Sequence, residues 1–230
     1  VLPDGKNHGL IFVLDWSGSM SREMLDTVKQ LYNLIWFCKK VSIPFDVYAF
    51  TNEWKRREQD ATGQWNPSDN ELPYEPQEYN FRVEEDFSLM NLLTSGVRNN
   101  ELEHQLKNIW RIASVFSNYY GGRYSYPTRL CLSGTPLNEA LMCLHQILPK
   151  FQKENNVEKV QCIVLTDGEA NSMPYHVMVK DYFNSDDWKM GLKAVNSSCC
   201  SLRDRSLGKV YRFGYSWWNF TEVLINNLQD

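Results

Sequence analysis

Apolar and polar positions near the start of the chain predict a strand, a helix and a second strand. The run Leu10–Leu14 is apolar without a break, as in a strand of a parallel sheet whose two faces are covered by helices. Residues 21–40 then repeat apolar side chains at helical spacing and finish with two lysines, whose charges suit the negative end of a helix. Pro44 ends this helix, and Phe45–Phe50 follows as a second apolar strand. Together these segments predict a βαβ unit with a right-handed crossover.

The later apolar segments extend this α/β pattern. Pro136 suits the first position of a helix, with Thr135 before it as the N-cap residue. We expect residues 78–83 to return as an edge strand beside the second strand, and residues 87–93 to form a short helical turn. The remaining patterns predict helices over 101–120, 137–148 and 217–228, a strand over 160–165, a partly helical segment over 174–196 and a hairpin with strands at 198–204 and 209–213.

A charged, proline-containing segment over residues 52–77 interrupts the alternation of strands and helices. A loop of this length is usually functional or locally disordered. The triplet Lys55-Arg56-Arg57 could bind an anionic partner, and a solvated charged edge explains it as well. We therefore expect an insertion at about 52–100 within one domain that spans residues 1–230 and closes with a hairpin and a helix at about 198–229.

Composition and charge narrow the class of protein. Hydrophobic residues make up 43% of the 230 residues, which is enough for a core and too much for a disordered chain. The 24 basic and 28 acidic residues give a net charge of −4, which argues against nucleic acid as a partner. Since no apolar run approaches the ~20 residues of a membrane-spanning helix, we expect no membrane segment.

Cysteine spacing favours free thiols over a metal site or a disulfide framework. No pair has the spacing of a zinc finger, and some of the cysteines lie in apolar segments that are predicted to be buried. Free thiols of this kind are typical of a reducing cytosol. The six residues are Cys38, Cys131, Cys143, Cys162, Cys199 and Cys200.

Oxygen-bearing side chains follow two of the predicted strands and precede one predicted helix. Asp15, Ser17 and Ser19 follow the first strand, Asp167 follows the strand at 160–165, and Thr135 precedes the helix. Each has an ordinary explanation alone, because serine and threonine cap helices and an aspartate before glycine forms turns. Their joint occurrence favours a binding site, since the carboxyl ends of neighbouring parallel strands meet at one edge of a sheet. Hydroxyl and carboxylate oxygens are ligands for a hard divalent cation.

This combination resembles the metal-ion-dependent adhesion site (MIDAS) of von Willebrand factor A (vWA) domains. The family signature is Asp-x-Ser-x-Ser, then a distant Thr and a distant Asp. The resemblance covers residues 9 to about 170 and weakens afterwards. It implies a Rossmann-like α/β fold, with a mostly parallel central sheet and helices on both faces. The matching segments are Asp15-Trp-Ser17-Gly-Ser19, Gly134-Thr135-Pro136-Leu137 and Thr166-Asp167-Gly168-Glu169.

The resemblance also implies a cofactor and a ligand set. Mg²⁺ is the expected cation, with Mn²⁺ and then Ca²⁺ as alternatives, because Ca²⁺ prefers more carboxylate or carbonyl ligands. A carboxylate from a protein partner would complete the coordination sphere. Glu169 could tune the site, and Trp16 either packs against the sheet edge, shields the ion or lines a partner groove. The implied ligands, bound directly or through water, are Asp15, Ser17, Ser19, Thr135 and Asp167.

Within the vWA family, the segments Gly9–Met20 and Gly134–Ala140 are similar to the CobT-like branch of cobaltochelatase subunits, including those of large tailed phages. That branch implies a C-terminal part of a longer protein, acting as adaptor to an AAA+ ATPase in metal insertion or remodelling. It also implies a cytoplasmic location, in a bacterium or an infected host cell.

An enzymatic role has less support in the sequence. Neither Ser17 nor Ser19 lies in a Gly-x-Ser-x-Gly elbow, and no His-Glu-x-x-His motif is present. We expect the chain to be non-catalytic on its own. The alternatives that stay open are a metal-assisted hydrolase or peptidase, and a structural component of a larger particle in which the cation holds loops together.

Overall fold

The computed structural model describes residues 8–53, 72, 74–84, 86–117, 125–168, 170, 173–180, 187–196, 199–213 and 219–230. The chain separates into two compact units. Unit 1 consists of Val1–Trp54 and Ser88–Glu169, and unit 2 consists of Lys55–Phe87 and Ala170–Asp230. Much of the predicted insertion therefore lies in unit 2, whereas its last part belongs to unit 1. The single vWA-like domain over residues 1–230 stays a prediction.

Unit 1 contains a four-stranded sheet in the order β3-β2-β1-β4. Strand β1 is parallel to β2 and to β4. The backbone N–H of Ser95 donates to the carbonyl of Phe45 (2.8 Å), so the end of β3 lies beside the start of β2 and this pair is antiparallel. The mixed, mostly parallel sheet confirms the predicted α/β class. The strands are β1 (His8–Asp15), β2 (Phe45–Asn52), β3 (Phe87–Thr94) and β4 (Lys159–Leu165).

Helices lie against both faces of this sheet. The side chains of β1 alternate between the two faces, so each face presents residues for a helix to pack against. Helices α1 (Met24–Val41) and α2 (Asn99–Ser117) share one buried cluster with Phe12 and Leu14. Helix α3 (Leu137–Asn155) approaches β1 from the other face. There, a Cβ atom on Gly9 would lie 2.5 Å from the ring of Phe151, so glycine allows this close packing.

Two predictions about the insertion are wrong. Residues 87–93 form strand β3 instead of a helical turn, because the segment pairs with β2 and buries Met90 and Leu93 in the core. Residues 78–83 do not pair with β2. Phe81 instead forms an isolated antiparallel bridge with Tyr175. The triplet Lys55-Arg56-Arg57 lies outside the described residues.

The described residues of unit 2 form two antiparallel strand pairs and one helix. Strands β5 (Pro174–Lys180) and β6 (Trp188–Ala194) occupy the segment predicted to be partly helical, so that prediction is wrong. Gly191 lets β6 approach the side chain of Val179, where a Cβ atom would lie only 2.6 Å from Cγ2. The predicted hairpin and the closing helix are confirmed. They are β7 (Ser201–Arg203), β8 (Val210–Arg212) and α4 (Asn219–Gln229).

Two expectations from composition can be compared with these elements. Within the described part of the chain, every helix is too short or too polar to cross a bilayer. All six cysteines are free thiols, and Cys38 is fully buried among the core side chains of unit 1. Burial raises the pKa of the Cys38 thiol and that of Cys162, the latter to about 11.

Candidate metal centre

The adjacency of β1 and β4 brings the predicted site residues of unit 1 to one edge of the sheet. The two parallel strands pair with Leu14 opposite Leu165, so the next residues, Asp15 at the end of β1 and Thr166 just after β4, lie side by side. Both strands end at this edge because their apolar runs end there. The loops that follow carry Ser17, Ser19 and Asp167.

Asp15 is a fully buried carboxylate with a hydrogen bond to each oxygen. Its Oδ1 accepts from the backbone N–H of Ser17 (2.9 Å), and its Oδ2 accepts from Thr166 Oγ1 (2.6 Å). Thr166 Oγ1 accepts in turn from the backbone N–H of Gly168 (3.2 Å). Burial raises the pKa of Asp15 although the bonds from Thr166 and Ser17 oppose this, and the nearby charge of Asp167 raises it further. A cation at this edge would favour the charged form of the carboxyl.

Ser17, Ser19 and Asp167 form a row of hydrogen-bonded oxygens. Ser19 Oγ donates to Asp167 Oδ1 (3.0 Å), and the two serine hydroxyls lie 2.9 Å apart. Because a hydroxyl has one proton and that of Ser19 goes to Asp167, Ser17 is the donor between the serines. The row therefore starts at a buried hydroxyl, that of Ser17, and ends at the exposed carboxylate of Asp167.

The spacing of this row fits a small divalent cation. Neighbouring ligands of an octahedral Mg²⁺ ion lie about 2.9 Å apart when each is ~2.0–2.1 Å from the ion. Ser17 Oγ and Ser19 Oγ are 2.9 Å apart, and Ser19 Oγ and Asp167 Oδ1 are 3.0 Å apart. A hydrogen bond has the same length, so a cation could take the place of these two hydrogen bonds without moving the oxygens far. The serine hydroxyls would keep their protons and bind the cation through their lone pairs. The donor set also fits, since oxygen ligands suit Mg²⁺ and Mn²⁺.

Helix capping does not explain the hydroxyls of Ser17 and Ser19. The N-cap residue of α1 is Glu23, and the short 3₁₀ helix over Ser19–Ser21 has Gly18 at its N-cap. Neither cap receives a side-chain hydrogen bond. The two serines bond to each other instead, and they are therefore not used by the secondary structure around them.

A third loop, which contains Thr135, is fixed beside the first by backbone hydrogen bonds. Gly18 N–H donates to the carbonyl of Ser133 (2.8 Å), and Ser133 N–H donates to that of Trp16 (3.3 Å). Ser17 and Ser133 consequently form a parallel bridge. Thr135 follows Ser133 by two residues and thus belongs to the loop that borders the oxygen row.

The prediction that Thr135 caps α3 is wrong. Pro136 is itself the N-cap residue, with ψ of 57°, and the helix begins at Leu137. The non-helical ψ moves the helix start one residue along the chain, so Thr135 lies outside it. Among the described residues, Thr135 Oγ1 has no hydrogen-bond partner, and the hydroxyl remains able to bind a ligand.

The end of β2 supports the same loop. A Cβ atom on Gly134 would lie 2.2 Å from Asn52 Oδ1, so only glycine permits this approach. The carbonyl of Phe50 accepts from Trp16 N–H (3.0 Å) and ties β2 to the first loop. Asn52 is not identified by the sequence motifs, because its role depends on the close approach of two segments that are distant in sequence.

Trp16 belongs to the core and does not line a groove. Its side chain is fully buried, and Nε1 donates to the carbonyl of Leu130 (2.9 Å). The indole packs edge to face against Phe116, with ring centroids 5.9 Å apart. The packing alternative for Trp16 is confirmed, and its burial anchors the residues that follow it in the first loop.

Two further observations complete the site. Thr166 lies within the matching segment but is not among the predicted site residues, although its position directly after β4 is a usable signal once β4 is placed beside β1. Glu169 lies outside the described residues. Within the described residues, no group of three or more His, Cys, Asp and Glu side chains could hold a metal. A cation here would therefore depend on hydroxyl ligands in addition to Asp15 and Asp167.

Comparison with known proteins adds no relative. No protein-family model matches the chain, and neither a curated protein nor a solved structure has significant similarity to it. The resemblance to vWA domains consequently stays a prediction supported by the motifs and by the geometry of unit 1.

Proposed function

We propose that this chain is a divalent-cation-dependent protein-interaction module of the vWA type. Mg²⁺ is the proposed cation. The observation that supports this most strongly is the row of Ser17, Ser19 and Asp167 oxygens, whose spacing matches neighbouring ligands of Mg²⁺. The proposed site residues are Asp15, Ser17, Ser19, Thr135 and Asp167.

The hydrogen bonds suggest different roles for the two carboxylates. Asp15 accepts from Ser17 N–H and from Thr166, so its oxygens orient the first loop, and the carboxylate would supply negative charge to a cation bound at this edge. Asp167 is exposed and can turn its carboxylate towards a cation held by Ser17 and Ser19. Thr135 would add a hydroxyl from the third loop.

Neutral hydroxyl ligands explain how such a site could bind a protein. Mg²⁺ requires about six oxygen ligands and readily keeps water molecules. With three hydroxyls and at most two carboxylates, the ion would retain positive charge and exchangeable positions. A carboxylate of a partner protein could replace water there, and charge-assisted contacts of this kind are strong.

The finer assignment extends this proposal. An adaptor subunit of an AAA+ ATPase-driven chelatase or remodelling complex, phage-encoded and cytoplasmic, is supported by the resemblance to CobT-like segments alone. The hydrolase and structural-component hypotheses differ from it in measurable ways. Turnover that disappears with Asp167→Ala would favour a hydrolase, and slow metal exchange without a free coordination position would favour a structural ion.

A Mg²⁺ titration of thermal stability tests the proposal. At a concentration about 100 times Kd, binding stabilises the folded state by about 2.7 kcal/mol. For a chain of this size, that raises Tm by about 5–10 °C. We expect this shift in the native chain and its loss in Asp15→Ala.

A matched control separates loss of the site from loss of a surface charge. Asp26 is an exposed carboxylate on α1 that pairs with Lys29 (2.6 Å). Asp26→Ala should keep the full Mg²⁺ shift. An equal shift in native chain and Asp15→Ala would place the cation elsewhere and contradict the proposal.

A further inference from the structure

Strand β4 of unit 1 has the sequence of an interior strand but lies at an edge of the sheet. Val160–Leu165 is apolar except for Gln161, as in strands that are buried between two neighbours. Among the described residues, β4 pairs with β1 alone. Six of the eight residues of β1 are buried, whereas none of the seven residues of β4 is. A second neighbour on the free edge would complete the burial of this strand.

The free edge of β4 lacks the features that keep edge strands from pairing with other chains. Charged side chains within the strand, prolines and bulges serve this purpose in soluble proteins. Val160–Leu165 contains no charge and no proline, and all of β4 pairs with β1 without interruption. The opposite edge of the same sheet is less regular, since the buried residues Met90 and Leu93 of β3 are three positions apart. The edge formed by β4 is therefore the better template for another strand.

We propose that two copies of this chain pair through β4 as antiparallel strands, which joins their four-stranded sheets into one continuous sheet. A two-fold axis at Cys162 matches all seven residues of the two strands, because Cys162 is the central residue of Lys159–Leu165. Such a symmetric interface requires a surface that is complementary to itself. In the dimer, β4 has a neighbour on each side.

The side chains of β4 meet this requirement in the register centred on Cys162. Val160 lies opposite Val164 of the second copy, and pairs of β-branched side chains stabilise a sheet. Lys159 is the one charged residue of β4, and it lies opposite Leu165, so no like charges meet. The strand thus provides its own partner.

Charge disfavours the same arrangement at β6 of unit 2. Strand β6 belongs to a two-stranded sheet, and its Met190 and Leu192 side chains are exposed. A two-fold axis at its central residue, Gly191, would place Lys189 opposite Lys193. Like charges directly opposite each other destabilise a strand pair. The comparison favours β4 as the strand through which two copies pair.

Disulfide formation between copies tests the register. Opposite residues of antiparallel strands have Cα atoms about 4.5–5.5 Å apart, within the range of about 4.4–6.8 Å that a disulfide spans. Oxidation of the native chain with copper phenanthroline should therefore link two copies through Cys162, although burial raises the pKa of this thiol to about 11. Chance collisions would instead link the exposed Cys199. The covalent dimer should persist in Cys199→Ser and disappear in Cys162→Ser.

Engineered cysteines test the register a second time. Val160→Cys and Val164→Cys are made separately in chains that also carry Cys162→Ser and Cys199→Ser. The two chains should form a disulfide when they are mixed and oxidised, because position 160 faces position 164 of the other copy. Neither should link to itself, since identical positions are then four residues, or about 13 Å, apart along the strands.

Sedimentation velocity of the full chain measures the dimer without oxidation. The mass should approach twice that of a single chain as concentration rises. Cys162→Lys should keep the chain monomeric because two positive charges then lie opposite each other, whereas the matched variant Cys162→Ser should still dimerise. Circular dichroism shows whether each variant is folded, and the disulfide experiments decide the question if Cys162→Lys is not.

The proposal does not depend on the cation site, because β4 ends before Asp167. The dimer should persist in EDTA, so its failure and failure of the proposed Mg²⁺ function give different results. A native chain that stays monomeric at all concentrations, a disulfide through Cys199 in place of Cys162, or Val160→Cys chains that link to themselves would each overturn the proposal. A dimer that forms with a strand of another protein in place of a second copy would overturn it as well.

Discussion

Asp204 in unit 2 and Asp167 in unit 1 both lie near hydroxyl and amide groups, but they differ in how many hydrogen bonds their carboxylates accept. In unit 2, Asp204 Oδ1 accepts from Ser206 N–H (2.7 Å), Ser206 Oγ (2.6 Å) and Leu207 N–H (3.0 Å). Its Oδ2 accepts from Asn227 Nδ2 (2.7 Å). In unit 1, the hydrogen bond that Asp167 forms with the described residues comes from Ser19 alone.

The difference distinguishes a carboxylate that serves structure from one that can serve a ligand. The bonds from Ser206, followed by that from Asn227, hold the pKa of Asp204 well below its usual value. These bonds use the lone pairs that a cation would need, and they join the hairpin to α4. Asp167 keeps most of its lone pairs, and it lies beside two hydroxyls that no helix cap uses. The carboxylate that keeps lone pairs free to accept a ligand indicates the binding site better than the number of polar groups around it does.

Among the variants that test this contrast, Asp167→Ala is expected to have the largest effect, which is a loss of Mg²⁺ affinity. Because Asp167 is exposed and forms one hydrogen bond, the variant should fold as stably as the native chain when Mg²⁺ is absent. Its Kd for Mg²⁺ should rise by about 100-fold or more, since even groups that only orient ligands affect affinity by 10–100-fold. Isothermal titration measures both chains, and Asp204→Ala is the control whose Mg²⁺ affinity should not change.

Thr166→Val should have a smaller effect through Asp15. Valine keeps the shape of threonine but removes the hydroxyl that donates to Asp15 Oδ2 (2.6 Å). We expect Mg²⁺ affinity to fall about tenfold, at the lower end of the effect of removing a supporting hydrogen bond. Thr166→Ser should restore it. Equal affinities of the serine and valine variants would show that the Thr166 hydroxyl does not support the site.

Asp204→Ala should lower stability without affecting the cation. Loss of the bonds to Ser206 and Asn227 separates the hairpin from α4, and because Asp204 is partly exposed we expect a loss of about 1 kcal/mol. Denaturant unfolding followed by a probe in unit 2 measures this change. Loss of Mg²⁺ affinity in Asp204→Ala, with stability intact, would reverse the proposed roles of the two aspartates.

The smallest expected effect is on how the stability contributed by the Asp204 carboxylate depends on pH. A carboxyl whose pKa is lower in the folded state adds stability above its unfolded pKa of about 3.9, and this stability is lost as pH falls towards the folded value. The difference in unfolding free energy between the native chain and Asp204→Asn should therefore be full at pH 6. It should shrink below about pH 3.9. A constant difference over this range would mean that the charge of Asp204 contributes nothing.

The sequence predicts the elements whose apolar pattern is visible within the element itself. A continuous apolar run identifies β1, largely apolar segments identify β2 and β4, and helical spacing identifies α1, α2 and α3. Strand β3 is missed because its sequence does not alternate regularly, and its pairing with β2 depends on residues about forty positions away. The same reason applies to β5 and β6, since β6 is mostly exposed and becomes a strand by pairing with β5.

The site likewise contains residues that the sequence predicts and residues that it does not. Asp15, Ser17, Ser19 and Asp167 are brought together as the motifs predict, because the parallel neighbours β1 and β4 end at one edge of the sheet. The support from Thr166 and Asn52 could not be predicted without knowing that β4 and β2 are the neighbours of β1. The capping prediction for Thr135 fails because the backbone angle of Pro136, which sequence does not reveal, delays the start of α3.

A crystal structure of the chain grown with Mn²⁺, with anomalous scattering measured at the manganese edge, tests the central claim most directly. Mn²⁺ accepts the same oxygen ligands as Mg²⁺ and is visible by its anomalous signal. We predict one strong peak within about 2.5 Å of both Ser17 Oγ and Ser19 Oγ. The peak should disappear in Asp167→Ala crystals grown in the same way. A strong peak elsewhere, or none above the ends of β1 and β4, would contradict the account.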